Sequence, residues 1–169
     1  MNRPMSEKTY RPNVVIALFN AGGLVLIARR IKNDGPEIIT PGCEWQMPQG
    51  GIDANEDPRA AAARELFEET GVTDADILGE TEWLTYEFPA YLGLPHTLAQ
   101  FRGQRQKWFA MRFTGHESQI DPLTARNGEE PEFDQWRWET LETIPALVVP
   151  YKREVYREVV ESFAGYART

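Results

Sequence analysis

An α/β domain built on a mixed sheet is the fold class this sequence predicts. Three observations point to it. Short apolar, β-branched runs recur along the chain. Two segments with helical patterning stand well apart. No internal repeat or low-complexity linker divides the 169 residues. That length suits one domain with a sizeable core. Residues 10–169 read as the domain and residues 1–9 as an N-terminal tail.

The elements follow in order. Residues 13–20 (NVVIALFN) and 23–28 (GLVLIA) are strand-like, and Asn20-Ala21-Gly22-Gly23 supplies turn chemistry, so the pair reads as a β-hairpin. Residues 32–41 are rich in Gly, Pro, Asn and Asp and read as a loop. Residues 45–48 suggest a short strand. A helix is expected over 58–70, with Asp57 as N-cap, Pro58 at the first position and Gly71 as the stop. Residues 77–88 and 107–113 read as strands, with 89–106 a long loop between them. Residues 118–131 form another loop, and 133–138 a short aromatic strand in which Trp136 and Trp138 share a core-facing side. The last element is a helix over 152–167, with Val155, Tyr156, Val159, Val160 and Phe163 on one face at helical spacing.

Composition excludes several classes. Apolar residues make up 41% and charged residues 26%, a folded composition without the bias of disorder. No apolar run approaches a membrane span, and residues 1–10 lack the apolar stretch of a signal peptide. Cys43 stands alone, so no intrachain disulfide forms, and a reducing, cytoplasmic setting is expected. Two histidines and one cysteine are too few for a structural zinc set. A net charge of −8 argues against a broad basic surface for nucleic acid, and no DNA partner is expected. It leaves room for a site that grips only a terminal phosphate group.

The chemistry lies in the first helix and the loop before it. Glu65, Glu68 and Glu69 stand at i, i+3 and i+4, so all three project from one side of the helix. They repel one another, and they lie in the C-terminal half, where the helix dipole disfavours negative charge. A solvated acidic face is one reading. The other is a hard divalent cation, which removes both penalties and prefers carboxylate oxygens, as Mg²⁺ or Mn²⁺ does.

The wider pattern decides between them. Gly50, Glu56, Arg64, Glu65, Leu66, Glu68, Glu69, Gly71 and Val72 together resemble the Nudix box. A chance match is on the order of one in a billion per starting position from average residue usage. The resemblance implies an α/β/α sandwich in which the box forms a loop–helix–loop, and a hydrolase of pyrophosphate linkages. It implies that Glu65, Glu68 and Glu69 hold Mg²⁺ or Mn²⁺, joined by a backbone carbonyl near Gln49 or Gly50. Glu56 would pair with Arg64 to fix the loop against the helix. Gly50 and Gly51 would allow close backbone approach, and Gly71 would cap the helix. The proton acceptor for the attacking water is Glu65 or, outside the box, Glu132, which would also reach the metal; the sequence leaves both open.

Segments outside the box resemble the bacterial RNA pyrophosphohydrolases of this family, which also act on dinucleoside polyphosphates. They are 10–14 (YRPNV), 28–30 (ARR), 45–51 (WQMPQGG), 106–109 (QKWF), 131–138 (PEFDQWRW) and 148–156 (VVPYKREVY). The resemblance implies conversion of the 5′-triphosphate end of RNA to a 5′-monophosphate. Hydrolysis of diadenosine tetra- or pentaphosphate is the alternative. A third reading, a Nudix-fold protein that only binds nucleotides, fits poorly because every box glutamate is present. Arg30, Arg11 and Lys152 are the phosphate-binding candidates, with Arg30 readable also as a surface residue and Lys152 as a helix start. Tyr151 and, more weakly, Tyr86 are candidates to stack on a base; packed aromatics are the competing reading. Two departures from the subfamily stand out: the loop 31–43 is longer than in its enterobacterial members, and Glu44 replaces a small polar residue. A regulatory protein partner leaves no mark in the sequence.

Overall fold

A computed structural model describes residues 4, 7–33, 35–124, 126 and 128–168. Most of the expected tail, Asp34 in the first loop, and Ala125 and Asn127 in the second lie outside the described residues. The central strand is β1 (Tyr10–Phe19), and residues 14–19 are all fully buried. Alternation splits them between two layers. Val15, Ala17 and Phe19 face one core, while Val14, Ile16 and Leu18 face the other. β1 runs parallel to β7 (Gly103–Phe113), in register from Tyr10 opposite Gly103 to Phe19 opposite Arg112.

The expected hairpin forms only beside its turn. β1 and β2 (Val25–Arg30) pair at Phe19 and Val25 and then part. The segment after the long loop fills the gap. β3 (Trp45–Gln46) pairs with β2, and β4 (Gln49–Gly51) pairs with β1. Between them Ile16 N–H donates to the Pro48 carbonyl at 2.9 Å, across the one residue that has no N–H to give. On its other side β2 pairs antiparallel with β8 (Phe133–Glu139).

α1 (Pro58–Thr70) has the expected bounds. Asp57 is extended at its N-terminus but makes no side-chain cap bond. Gly71 takes φ 81° and its N–H closes on the Phe67 carbonyl at 2.8 Å, a left-handed stop that favours glycine. Ala61, Ala62 and Leu66 bring this helix onto the even-numbered face of β1. α2 (Arg153–Phe163) covers the other face with Val155, Tyr156, Val159 and Phe163, and Val160 is half-buried beside them. The expected helix 152–167 is α-helical only in this middle part, with 3₁₀ turns at 150–152 and 164–167. The Tyr156 hydroxyl accepts from Met47 N–H at 3.0 Å, tying α2 to the inserted segment.

Two further expectations are corrected. Residues 77–88 form two strands, β5 (Ala75–Glu80) and β6 (Leu84–Glu87), both antiparallel to β7. The break has a local cause. Thr81 N–H donates to the Trp108 carbonyl, and the Thr81 hydroxyl takes the Trp108 N–H at 3.1 Å, so a side chain replaces a ladder rung. β7 also begins earlier than expected, within the predicted loop 89–106. Gln104 and Gln106 are polar yet fully buried, which hides a strand from a reading based on apolar alternation. The rest of that loop includes a 3₁₀ turn at 97–100. Trp136 and Trp138 pack against the α1-side core while keeping partial exposure, and Trp138 Nε1 donates to Glu117 at 2.7 Å. Among the described residues, no helix is long and apolar enough to cross a membrane.

Candidate active site

The site forms where β4 meets α1. Two glycines let this happen. A Cβ on Gly50 would lie 1.9 Å from the Glu65 Cδ, and one on Gly51 would lie 2.3 Å from an Arg11 guanidinium nitrogen. Bare backbone therefore forms one wall, against which an acid of α1 and a base of β1 both rest. From the same strand, Gln49 N–H donates to Glu69 Oε2 at 3.1 Å.

Arg64 organises the loop before the helix. Its Nε and Nη2 each reach Glu56 at 2.8 Å, and Nη2 also donates to the Gly51 carbonyl at 2.9 Å. Nη1 turns to Glu65 at 2.8 Å and Glu68 at 3.2 Å. Hydrogen bonds from Arg64 hold the Glu56 carboxyl down to about 2. The other acids go the opposite way. Burial pushes Glu65 up to about 7, with Arg64 opposing and Glu68 adding to the rise. Burial and the neighbouring Glu65 raise Glu69 well above the usual carboxylate range, and Glu132 contributes.

These acids line one cavity of about 660 Å³. Arg11 and Arg30 enter it from the sheet, and Glu132 and Arg126 from the loop before β8. Arg11 Nη1 donates to Gln104 at 3.0 Å. Arg30 Nη2 donates to the Glu37 carbonyl at 2.6 Å, while its Nη1 is buried without a hydrogen bond. Glu132 is half-exposed and pairs with Lys32 at 3.3 Å. Tyr151 is half-buried at the edge of Tyr86, with ring centroids 6.0 Å apart, and its hydroxyl donates to the Ile38 carbonyl at 2.9 Å.

Every box residue expected to act together is thus brought together, along with Glu132, Arg11 and Arg30. Lys152 and Tyr86 are not free to meet substrate as expected. Lys152 is 1% exposed, 3.1 Å from Gln46 Oε1 and 3.4 Å from Glu37. Tyr86 is buried and donates its hydroxyl to Glu37. Sequence reasoning missed Glu37, because a lone acid in a Gly/Pro-rich loop gives no signal of burial. Glu44 is turned back on its own loop, where it accepts from Gly42 N–H at 2.8 Å, so its carboxylate is engaged locally.

The donor set fits a hard divalent cation. It comprises carboxylate oxygens and main-chain carbonyls, and two of the acids, Glu65 and Glu69, are raised chiefly by burial, which a bound cation would offset. The fit calls for rearrangement: Arg64 engages Glu65 and Glu68, and among the described residues no three His, Cys, Asp or Glu side chains are already gathered tightly enough to hold an ion.

The NUDIX domain family model matches residues 9–159, nearly the whole chain. The protein belongs to the Nudix family. Its curated Nudix relatives include a protein of Rhodospirillum rubrum named RNA pyrophosphohydrolase, 52% identical over 94% of this chain and 89% of the relative. One of the same name from Caulobacter vibrioides is 48% identical over 97% of this chain and 91% of the relative. Solved structures agree in fold. The MutT protein of Methanosarcina mazei Go1 superposes with a TM-score of 0.63 at 22% identity, covering 92% of this chain and 96% of that one. An Ap4A hydrolase of C. elegans gives 0.59 at 18% identity, covering 90% and 98%. Within the Nudix fold, the loop–helix–loop of the box is here residues 50–72, with α1 at its centre.

Proposed function

We propose that this Nudix protein is an RNA pyrophosphohydrolase: a phosphoric-anhydride hydrolase that converts the 5′-triphosphate end of RNA to a 5′-monophosphate. The observation that carries this reading is the similarity, about half of all positions over nearly the full length, to relatives of that name. One water added across the inner phosphoanhydride leaves the 5′-monophosphate on RNA and releases pyrophosphate; stepwise release of two phosphates takes two waters, one for each anhydride bond.

The cavity's groups suit the task. Glu65, Glu68 and Glu69, with the carbonyl of Gln49 or Gly50, would hold Mg²⁺ or Mn²⁺, and Glu132, which lines the same cavity, is the candidate to join them. Such an ion, when bound, neutralises phosphate charge and acidifies a water. Arg11 and Arg30 bring planar cationic forks to the phosphates. Glu65 and Glu132, both lining the cavity, are the candidates to accept the proton of the attacking water. Glu56 and Arg64 keep Gly51 and the helix in register, so the carboxylates meet the phosphates in one geometry. Tyr151, half-buried against Tyr86, is the candidate to stack on a base of the unpaired end. The net charge of −8 fits a protein that grips only the end of its substrate.

A reading as a dinucleoside polyphosphate hydrolase is not favoured, since likeness to an Ap4A hydrolase at 18% identity speaks for fold alone. The test is a side-by-side rate comparison with Mg²⁺, using short triphosphorylated RNA with an unpaired 5′ end and diadenosine tetraphosphate at equal concentrations. Preference for the RNA supports the proposal. Preference for the dinucleotide, or no hydrolysis of RNA, overturns it.

A further inference from the structure

The cavity holds one more acid, and this one sits among donors. Glu37 comes from the loop between β2 and β3, is 7% exposed and lines the cavity beside Arg30, Gln49 and Gln104. Its Oε1 accepts from the Tyr86 hydroxyl and from Gln104 Nε2 at 2.7 Å, with Lys152 Nζ at 3.4 Å. Its Oε2 accepts from Gln49 Nε2 at 3.4 Å. A phenol, an ammonium and two carboxamides, from four separate parts of the fold, thus converge on one carboxylate. Burial alone works against its charge, yet Lys152, Arg30 and the hydrogen bonds from Tyr86 and Gln104 hold it down to about 2.

Such a cluster is an anion pocket. Carboxylate and phosphate oxygens are both acceptors, so donors arranged for one serve the other. The pocket adjoins the box directly: Gln49 bonds Glu37 through its side chain and Glu69 through its main chain. Neither Tyr86 nor Lys152 lines the cavity; Glu37 does, and it covers both. The buried Arg30 Nη1 without a hydrogen bond points to a further anion contact at the same place. The loop's own hold is exchangeable. Where it passes the pocket, three side chains grip its main chain, Arg30 at Glu37, Tyr151 at Ile38 and Asn33 at Ile39, rather than a strand ladder.

We propose that Glu37 is a built-in stand-in for a phosphoryl group of the substrate. It fills the pocket in the free enzyme, and the arriving triphosphate end displaces it onto the solvent side, exposing Lys152 and Tyr86. The proposal rests on the triphosphate-hydrolase reading. It makes Glu37 a tethered competitor for the pocket. Any anion must compete with a tethered carboxylate, so its apparent affinity falls by the fraction of molecules with Glu37 seated. The factor is the same for every ligand that uses the pocket, the product pyrophosphate among them.

The experiment titrates inorganic pyrophosphate into the full chain by calorimetry without divalent cation, comparing wild type with Glu37→Ala and Glu37→Gln. Removing the carboxylate should tighten pyrophosphate binding by about tenfold or more, and pyrophosphate should raise the Tm of the variants more than that of wild type. Glu37→Gln keeps the size of the side chain, so it decides the matter if Glu37→Ala folds poorly. Equal or weaker binding by Glu37→Gln overturns the proposal. Hydrolysis of triphosphorylated RNA by wild type is followed alongside. RNA cleavage with unchanged pyrophosphate affinity sinks the role of Glu37 alone. Tighter pyrophosphate binding by the variants without any RNA cleavage by wild type supports the pocket and sinks the RNA reading.

Discussion

Arg64 and Glu56 are joined by two hydrogen bonds of 2.8 Å, one from Nε and one from Nη2, across the turn that leads into α1. The fork fixes the loop on the helix, and the same guanidinium holds the Gly51 carbonyl. Replacing Glu56 with Gln removes the charge and should lower kcat by about 10- to 100-fold through loss of positioning. The cation concentration needed for half-maximal rate should rise with it. An unchanged cation requirement would mean that the pair serves the fold alone.

The same pair predicts an acid response. Hydrogen bonds from Arg64 depress the folded-state Glu56 to about 2 from an ordinary value of 4.5. A depressed carboxyl stabilises the folded state in full above its unfolded value, and that contribution is lost as pH falls through the window from 4.5 toward 2. Thermal unfolding of wild type and Glu56→Gln should therefore differ most near neutral pH and converge in acid. A gap that widens on acidification would contradict the assignment.

Glu69 is raised by burial and by Glu65 beside it, so a bound cation would relieve it. Divalent cation should raise the Tm of wild type through linkage and do so far less for Glu69→Gln. The variant's rate loss should exceed the roughly 10- to 100-fold typical of outer-shell changes. Wild-type activity in Glu69→Gln would remove the helix face from the metal site.

Gly50 has no room for a side chain, because a Cβ would overlap the Glu65 carboxyl at 1.9 Å. Gly50→Ala should displace Glu65 and cost about a hundredfold in rate, the scale of a misplacement near 1 Å. Circular dichroism would show the fold retained. Near-normal turnover would show that Glu65 can act from another position.

Lys152 is fully buried against Glu37 and Gln46. Lys152→Met removes one partner of a buried pair and should destabilise the protein by about 3 kcal/mol. Urea unfolding measures this. A loss within experimental error would show that Glu37 readily leaves the pocket or takes up a proton.

The sequence by itself determined the box and much of its local structure. Three glutamates at helical spacing, the bounds of α1 and the stop at Gly71 are local properties, set by periodicity and by a φ of 81° that favours glycine. The tertiary structure decided the rest. Only the parting of β1 and β2 makes room for β3 and β4, which place Gly50 against Glu65. Only the stacking of two layers shows that Gln104 and Gln106 are buried, although their polarity hides β7. Only the placement of residues 35–43 reveals that Glu37 lies over Lys152 and Tyr86 and keeps them from the cavity. Burial of a polar group depends on partners distant in the chain, here 67 residues away for Gln104 and Glu37, and no local pattern encodes such a meeting.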